Sequence, residues 1–494
     1  MILPILLSPI AYSSNLKSNN NYPDLNKDNY PNSVVFSKDK SNNYNLTIIK
    51  FSDIKSLVIE NNEQLKKLKS QITQAKYLLK SKNSFWSPRL NLSTDDLPSY
   101  STGDSNNKLS TNSSTNQSKI GMSGSIEWDI IKPSRRIEIN IAKESLESSE
   151  YNYEFYKKDI YLEAVKKYFL IQASLQDIKV SKKAIDISMV SLKEAENKYS
   201  SGIGNKLELL EAKTQLGREQ ILLKKRQGRL NFHKNDFSKI LNIKGRVLVK
   251  EDEDPKILGF WNLNKEKSLS LALRNRNDIK VKEKNISINQ KKALSVISGK
   301  KPTLSIYNTY SLSTANGESG VENPNHQNVI SSNSNKIGLK FGLNLFDGGL
   351  LRQNYRSLKS KEDELRADLN EKKLEIDKEI NNSFIDLDIA RSSIMIAYEQ
   401  VQSANESLNI SLKRLEAGLT TQREIVNLQG DVSEAETNYI NSIKNYNENL
   451  FSLLRTVGTD NLNLCGSSNN TNDEQYLFIK FAKEKNLLRC EFSI

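Results

Sequence analysis

Few residues of this 494-residue sequence have the types and spacing that catalysis or metal binding requires. The two histidines, His233 and His326, are far apart, one in a predicted helix and one in a predicted loop, and both are expected at the surface. Cys465 and Cys490 have neither CxxC spacing nor a nearby histidine, so they predict no metal site and leave a disulfide in an oxidising compartment as one interpretation. No phosphate-binding glycine loop, dinucleotide-binding turn or Ser/His/Asp grouping occurs. The sequence therefore predicts a non-enzyme without a metal or cofactor.

The basic charge of the chain does not indicate nucleic-acid binding. The net charge is +13, but the 72 Lys and Arg residues are spread over predicted helices that also carry many of the 59 Asp and Glu residues. No basic cluster is interleaved with aromatic residues, as it would be in a nucleic-acid module. Solvated helix faces explain this pattern, and no nucleic-acid partner is expected.

Hydropathy predicts no membrane-spanning helix. The mean hydropathy is −0.59, and no apolar run reaches the ~18 residues that a spanning helix needs. Membrane β-strands alternate and never form such runs, so they stay open as an interpretation. Residues 2–11 form a short apolar stretch, interrupted by Pro4 and Pro9, that resembles a secretory signal but lacks a preceding basic region. A plain flexible N-terminus is the alternative.

The sequence contains the same unit twice, at an offset of roughly 214–218 residues. Asn62-Glu63 followed by Pro88-Arg89-Leu90 corresponds to Asn277-Asp278 followed by Pro302-Thr303-Leu304. Each unit is predicted to run helix, strand, loop, strand, very long helix, tight turn, helix. The predicted domains are a signal segment and flexible linker, a first repeat, an inter-repeat linker, a second repeat and a C-terminal tail, at 1–50, 51–250, 251–264, 265–460 and 461–494.

Two strands with alternating apolar and polar residues are predicted in each repeat. Each run of about 9–11 residues has the length of a tilted strand that crosses a bilayer. The stretches 96–118 and 314–334 are rich in Ser, Asn and Gly and predict long solvated loops. A soluble sheet would need further strands, which the sequence lacks, so a pair of membrane hairpins is favoured. The predicted lipid-facing residues are Met122, Ile126, Leu339, Phe341 and Leu343, with Lys340 and Asn344 on the opposite face.

Helices of two lengths are predicted, short ones at 52–86 and 206–242 and long ones at 134–200 and 350–416. Each long helix has about 66 residues and is ~100 Å long at ~1.5 Å per residue. In the second, one apolar row repeats every seven residues from Ile380, and another includes Ile389 and Ile396, about 200° around the helix from the first. A helix with two seams has neighbours on both sides, which predicts a wall of helices rather than a two-stranded coiled coil. The two short helices are expected to stack end to end and match one long helix.

Four strands per chain predict an oligomer. Four strands cannot close a barrel, and open strand edges are not tolerated in lipid. Two chains would supply eight strands, which form a barrel filled by its own side chains. Three chains would supply twelve strands and leave room for a lumen, so a conduit predicts a homotrimer or a larger ring.

In the order and duplication of these motifs, the sequence resembles the TolC-like outer-membrane efflux protein family, the outer membrane factors. The resemblance covers roughly residues 52–460. It rests on the duplicated helix–hairpin–helix unit, the Pro-x-Leu strand starts, the glycine turns, and the strand ends Trp128-Asp129 and Phe346-Asp347-Gly348-Gly349. It implies a mainly α fold in which a long α-helical barrel is continuous with a trimeric 12-stranded transmembrane β-barrel.

The resemblance also implies a function and partners. It implies an exit duct in the outer membrane that extends into the periplasm and has no energy source of its own. Such a duct serves a tripartite efflux or type I secretion system and passes small molecules or polypeptides to the exterior. The implied partners are two further copies of the chain, a periplasmic adaptor (membrane-fusion) protein, an inner-membrane pump and outer-membrane lipid.

Roles for particular residues follow from the same resemblance. The glycine turns imply the closed periplasmic end and an adaptor-docking tip formed by Gly202, Ile203, Gly418, Leu419 and Thr420. In the family, acidic residues six and nine positions after the second-repeat glycine line the tunnel constriction. Here these positions are Glu424 and Asn427, and the first-repeat equivalents are Glu208 and Glu211. A lumenal ring of Glu424 would favour cations, whereas the alternative interpretation is a solvated surface glutamate.

Two other classes of protein are the alternatives. A soluble coiled-coil scaffold would explain the helices but not the alternating strands of membrane-spanning length. A periplasmic adaptor of an export system has one helical hairpin and lipoyl-type strands, whereas this sequence has duplicated hairpins. Both alternatives therefore leave part of the repeated pattern without an explanation.

Overall fold

The computed structural model describes residues 47–105, 113–243, 247–249, 255–321, 328–459 and 473–489. The apolar stretch at 2–11, together with His326, Cys465 and Cys490, lies outside these ranges. The helices are α1 (Ile54–Asn61), α2 (Glu63–Asn83), α3 (Ser134–Ser200), α4 (Lys206–Leu241), α5 (Lys265–Asn275), α6 (Asn277–Ile297), α7 (Leu350–Glu416), α8 (Gln422–Val457) and α9 (Asp473–Glu484). The strands are β1 (Thr47–Ile49), β2 (Arg89–Ser105), β3 (Ser113–Ile131), β4 (Val247–Val249), β5 (Thr303–Val321) and β6 (Asn328–Gly342).

The two repeats are built from elements of matching length. α2 and α6 each contain 21 residues, α3 and α7 each contain 67, and α4 and α8 each contain 36. The bounds of α3 and α7 confirm the long helices predicted at 134–200 and 350–416. None of the helices in the described ranges combines the length and the apolar character that a membrane span requires.

Four strands form one antiparallel sheet in the order β2-β3-β5-β6. The central pair, β3 and β5, comes from different repeats, so the two hairpins join through it. Trp128 lies opposite Ile306, and Ile306 lies opposite Leu339, which puts these three side chains on one face. β2 and β6 are the edges of the sheet, and each has a single neighbour among the described strands.

The strands are longer than predicted. They contain 15 to 19 residues rather than 9–11, because most of the stretches 96–118 and 314–334 continues the ladder. The prediction of long loops was wrong there, since the bonds of a ladder join backbone groups and do not require apolar side chains. Polar cross-strand pairs accompany the ladder, such as Ser311 and Ser334, whose Oγ atoms are 2.7 Å apart.

The helices form a layer in which the long helices run through two zones. In the zone next to the sheet the order is α2, α3, α6, α7. In the far zone the order is α4, α3, α8, α7. α7 is therefore one edge of the layer in both zones, and the stacked pair α2 and α4 is the other edge.

One face of α7 and α8 carries a second layer, which we call the cover and define as residues 255–263 together with α9. Asn447 of α8 holds the cover: its Nδ2 donates to the carbonyl of Lys256 (2.8 Å), and its Oδ1 accepts from the amide of Leu258 (3.1 Å). The apolar contact buries Ile257, Phe260, Trp261 and Phe478 against Leu387, Ile394, Ile443, Tyr446 and Leu450. These segments were predicted as a linker and a tail, whereas both contribute to the core.

The short helices stack end to end through polar contacts at two joints. Asn62 interrupts the helix predicted at 52–86; its Oδ1 caps α2 and its Nδ2 donates to the carbonyl of Ile240 near the end of α4 (2.8 Å). Arg276, between α5 and α6, donates in the same way to the carbonyl of Thr456 near the end of α8 (3.4 Å). α2 with α4, and α6 with α8, therefore stack end to end as predicted, with 21 and 36 residues in each pair against 67 in one long helix.

The joint at Arg276 contains a buried charge network. Arg276 donates to both carboxylate oxygens of Asp278 (3.0 and 2.7 Å) and to Glu379 of α7. Burial raises the pKa of Asp278, but the hydrogen bonds and charge of Arg276 outweigh burial and hold that pKa below its ordinary value. Lys372 adds a weaker contact, with its Nζ 3.6 Å from Asp278. Removal of Arg276 would therefore leave a buried carboxylate with only the weaker attraction of Lys372 and Arg455.

We expect Arg276→Ala to lower the free energy of unfolding by about 3 kcal/mol, the low end for a broken buried pair because Lys372 remains. Thermal and denaturant unfolding followed by circular dichroism would measure the loss. In the variant the unpaired Asp278 should take up a proton in the folded state, so the loss should shrink as the pH falls from 7 toward 4. Wild-type protein should instead lose the contribution of Asp278 only below its unfolded pKa of about 3.9.

The matched control is Lys66→Ala, which removes an exposed ion pair with Glu63. This substitution should change the free energy of unfolding by no more than about 1 kcal/mol. Equal effects of the two substitutions, or a loss for Arg276→Ala that does not depend on pH, would contradict the assignment of the joint as a buried charge network.

Candidate functional site

The four-stranded sheet presents an apolar face that the described part of the chain leaves bare. Leu339 and Phe341 are each 67% exposed, and Met122 and Ile126 are exposed on the same face. Leu343 is also exposed but lies just beyond the end of β6 at Gly342. An exposed apolar surface of this extent indicates a contact with lipid or protein rather than water.

The opposite face of the sheet is polar. Lys340 lies on it because adjacent residues of a strand point to opposite faces. Its cross-strand neighbour Ser305 donates through Oγ to Asp129 Oδ1 at 2.8 Å. The sheet therefore separates an apolar face from a hydrogen-bonded polar face, as the alternation in the sequence predicted.

The junctions between the sheet and the long helices are held by capping contacts. Before α7, Asp347 accepts hydrogen bonds from the backbone amides of Gly349 (2.9 Å) and Leu351 (3.0 Å). Gly348 and Gly349 have φ values of 63° and 90°, which favour glycine. Before α3, the indole of Trp128 donates to the carbonyl of Trp86 (2.9 Å). The Phe-Asp-Gly-Gly motif is thus a helix start that fixes the exit from the sheet.

At the opposite end of the layer, two glycine turns connect the helices of each hairpin. Gly202 (φ 77°) follows α3, and Gly418 (φ 71°) follows α7, each in the left-handed region. The amide of Leu419 donates to the carbonyl of Arg414 (2.8 Å), a bond that satisfies the last turn of α7. Ile203 and Leu419 project from these turns and are 86% and 69% exposed. Each tip is therefore a rigid turn with an exposed apolar side chain.

The four candidate constriction residues do not form one cluster. Glu424 is exposed, and its carboxylate accepts hydrogen bonds from Thr420 Oγ1 (2.5 Å) and Ser411 Oγ (3.4 Å). Glu211 and Asn427 instead line a groove of about 410 Å³ between α4 and α8. Glu208 and Glu424 are not among the residues that line this groove.

The charge balance of this groove was not predicted from the sequence. Arg218 of α4 and Arg423 of α8 line it together with Glu211, so the basic groups outnumber the acidic group. Neither arginine belongs to an apolar row or a turn motif, so no pattern in the sequence indicates that they meet. The ends of α4 and α8 therefore present mixed charge rather than acid alone.

Further along the hairpins, the seam between them is polar. Arg226 of α4 donates to the carbonyl of Asp177 and to Ser181 of α3, both at 2.8 Å, and to Thr437 of α8 at 3.1 Å. Glu219 is buried beside it, and burial raises the pKa of Glu219 although Arg226 and a hydrogen bond act in the opposite direction. A hydrogen-bonded seam of this kind fixes the register of the two hairpins.

The two seams predicted on the long helices have different outcomes. α3 also has a second apolar row, which includes Ala173 and Val180, and these two residues pack against Ile440 of α8, so that seam is filled within the chain. On α7, Ile396 of the second row is 66% exposed, and Ile389 and Ile410 of the same row are exposed as well. The second seam of α7 therefore lies along the edge of the helical layer.

Comparison with known proteins links this architecture to one family. A sequence profile of the outer membrane efflux protein family matches residues 55–242 and 268–459, which are most of the chain. No curated protein sequence matches the chain. The match includes both repeats and begins and ends close to the bounds of the helix–hairpin–helix units.

Solved structures with the same fold are outer-membrane channels. The CmeC channel of Campylobacter jejuni is 16% identical with a TM-score of 0.66, over 93% of this chain and 98% of that chain. The outer membrane protein VceC of Vibrio cholerae is 14% identical with a TM-score of 0.65, over 82% and 95%. The MtrE channel of Neisseria gonorrhoeae, solved in its open state, is 12% identical with a TM-score of 0.61, over 82% and 88%.

The family match argues against the two alternative classes, a soluble coiled-coil scaffold and a periplasmic adaptor. A soluble scaffold or a periplasmic adaptor would not carry two copies of a helix–hairpin–helix unit joined through one sheet. The fold is that of a helical barrel continuous with a β-barrel. The chain belongs to the outer membrane efflux protein family and is an outer-membrane exit duct that extends into the periplasm.

Proposed function

We propose that three copies of this chain close into one duct, which receives cargo from a periplasmic adaptor and an inner-membrane pump and has no energy source of its own. The observation that carries this proposal is the open sheet, with an apolar face and two edge strands. In lipid, the unpaired backbone groups of β2 and β6 need partners. Pairing β6 of one copy with β2 of the next is antiparallel, and three copies make a closed ring of twelve strands.

The edges of the helical layer support the same assembly. α7 exposes Ile389, Ile396 and Ile410 along one edge, and α4 exposes Ile221 and Phe232. Two apolar edges on one chain favour a head-to-tail contact that repeats around an axis. The helical wall and the strand ring would therefore close with the same three-fold symmetry.

The glycine turns are the proposed docking tip for the adaptor. Gly202, Ile203, Gly418, Leu419 and Thr420 lie at the end of the layer far from the sheet, where a duct would meet a periplasmic partner. Ile203 and Leu419 offer apolar contacts on rigid turns. Efflux of small molecules is the proposed role because the family is one of efflux proteins, and secretion of polypeptides is the alternative. The inner-membrane pump that co-purifies with the chain would distinguish the two.

The proposed constriction lies at the start of α8. Glu424 and Asn427 are three residues apart, so both lie near one side of α8, and Glu211 reaches the same groove as Asn427. The bonds from Thr420 and Ser411 fix the Glu424 carboxylate beside the tip. Three copies of Glu424 around a narrow axis would form a ring of negative charge that favours cations.

We expect detergent-solubilised protein to have about three times the 56.1 kDa mass of the chain by light scattering. Ile396→Glu should shift the population toward monomer, because it puts a charge into the apolar edge of α7. Gln402→Glu, an exposed position elsewhere on α7, is the matched control and should leave the mass unchanged. A stable, soluble monomer without detergent would end the proposal.

We expect Phe341→Arg to impair membrane assembly, since Arg on a lipid-facing strand costs on the order of 2–4 kcal/mol near the bilayer midplane. Lys340→Glu, the adjacent residue on the polar face, should assemble normally and change ion selectivity. Heat-stable oligomer on gels and reversal potentials in planar bilayers would measure the two effects. If both substitutions are tolerated equally, the assignment of Phe341 to the lipid face and Lys340 to the opposite face of β6 is wrong.

We expect Glu424→Gln to reduce the preference of the channel for cations and to weaken block by divalent cations, because the ring of charge is removed. Trimer mass should not change. Glu406→Gln, an exposed acid on α7 away from the tip, serves as the control. An unchanged reversal potential together with unchanged divalent block would place Glu424 on the outer surface.

A further inference from the structure

A groove of about 520 Å³ runs between α7 and α8 on the bare face of the helical layer. Four asparagines of α8 form one side, and Asp386, Ile389, Ala390 and Ser393 of α7 form the other. The asparagines are Asn438, Asn441, Asn445 and Asn449, which we call the amide stripe. Their steps of three, four and four residues put all four on one face of α8, over ~16 Å of helix length.

The amide stripe points away from the cover. Asn445 belongs to the stripe and Asn447 binds the cover, and two residues apart on a helix means about 200° around it. The layer formed by α7 and α8 thus has a covered face and a face with the stripe. A closed wall has one side toward the bore and one toward the periplasm. Since the cover is a further layer of protein, it fits on the outside, and the amide stripe faces the bore.

The exposed isoleucines of α7 at the edge of the helical layer agree with this orientation. Asp386 and Ser393 lie between the side of α7 that packs on α8 and the exposed row of Ile389 and Ile396, and Ile389 also lines the groove. α7 therefore has an α8 side, a covered side, a subunit edge and a groove side. The groove side combines the carboxamides of α8 with the hydroxyls of Ser393 and Ser442, and Ile389 and Ala390 border it.

The carboxamides of the stripe are available to a ligand. Asn449 donates to the carbonyl of Asp386 at 3.0 Å. Within the described residues, Asn438, Asn441 and Asn445 make no side-chain hydrogen bond. Asparagine is a poor helix former, so four of them on one face of one helix work against the stability of α8. Each uncharged carboxamide offers two donors and an acceptor, a set that matches hydroxyl and amide groups rather than ions.

We propose that the amide stripe is a lumenal transit site for uncharged cargo rich in hydroxyl and amide groups, an inference that rests on the proposed trimeric duct. Three copies would surround the bore with twelve carboxamides at successive heights. Such groups bind a polar solute through several weak bonds, each of which exchanges readily with water. A solute bound to the stripe is drawn from bulk water into the bore. Because each bond is weak, the solute can move from one carboxamide to the next toward the exit.

Closer to the tip, the same side of α8 becomes acidic. Asp431 and Glu434 are exposed there, and Asn427 and Glu424 follow. The stripe is therefore a neutral zone between the constriction and the sheet. Asp386 is the acidic group of the groove itself, so a cation site is the competing assignment, and the experiment must separate the two.

The test uses the full-length channel in planar bilayers with chitohexaose, a neutral oligosaccharide with hydroxyl and amide groups, added on the side of the strands. Wild-type channels should show transient current blocks. The triple variant N438A/N441A/N445A should shorten the mean block at least tenfold, while conductance, reversal potential and trimer mass stay at wild-type values. The control N370A/N409A removes two exposed asparagines of α7 outside the groove and should not change the blocks.

The single variants Asn445→Asp and Asn445→Lys report the orientation of the stripe without deleting it. They should shift the reversal potential in opposite directions if residue 445 faces the bore. Channels that form normally but show no chitohexaose block, or blocks that the triple variant leaves unchanged, would overturn the transit site. A triple variant that changes cation selectivity and not sugar block would favour the cation site. Failure to form trimers or channels at all would count against the proposed function instead.

Discussion

Backbone hydrogen bonding in lipid is the constraint on which the rest of this structure depends. A strand that crosses a bilayer must pair on both sides, because no water is available to satisfy its amides and carbonyls. The chain supplies four strands in the order β2-β3-β5-β6 and therefore two open edges. Closing those edges with further copies imposes rotational symmetry on the strands, and the helices that leave the strands inherit it. The bare edge of α7, with its isoleucine row, is the helical counterpart of the open strand β6.

A wall of helices that continues such a ring must have uniform height. α3 and α7 span that height as single helices, whereas their neighbours are pairs of shorter helices that meet at Asn62 and Arg276. The two joints connect stacked helices by different chemistry, a neutral carboxamide in the first repeat and a buried cation with carboxylates in the second. Both joints border apolar clusters: Leu65 and Ile240 beside the first joint are buried in one cluster, and Val457 beside the second is buried in the cluster that includes the cover.

The sequence was sufficient to predict what periodicity encodes. Heptad rows indicated two long helices, predicted at roughly 134–200 and 350–416, and alternation identified the apolar face of the sheet, because both patterns reflect burial directly. Strand length could not be predicted, since the outer parts of the hairpins are polar on both faces and look like loops. The cover was also missed, because α9 is a short helix whose burial depends on Phe478 reaching the linker. Of the four candidate constriction residues, the structure brings together only Glu211 and Asn427.

The charge of the tip depends on which side chains face the axis more than on how many acids the sequence holds. Arg423 directly precedes Glu424, and adjacent residues on a helix point about 100° apart. Arg423 lines the groove between α4 and α8, whereas Glu424 bonds to Thr420 and Ser411 on the side of α7. A rotation of α8 toward one side or the other would therefore change the balance of basic and acidic groups at the proposed constriction. The polar seam at Arg226, which joins α3, α4 and α8 through hydrogen bonds, resists such a rotation because its bonds have fixed directions. If α8 lines the constriction as proposed, the seam helps to hold Glu424 and Arg423 in their orientations, although it lies several helical turns away from them.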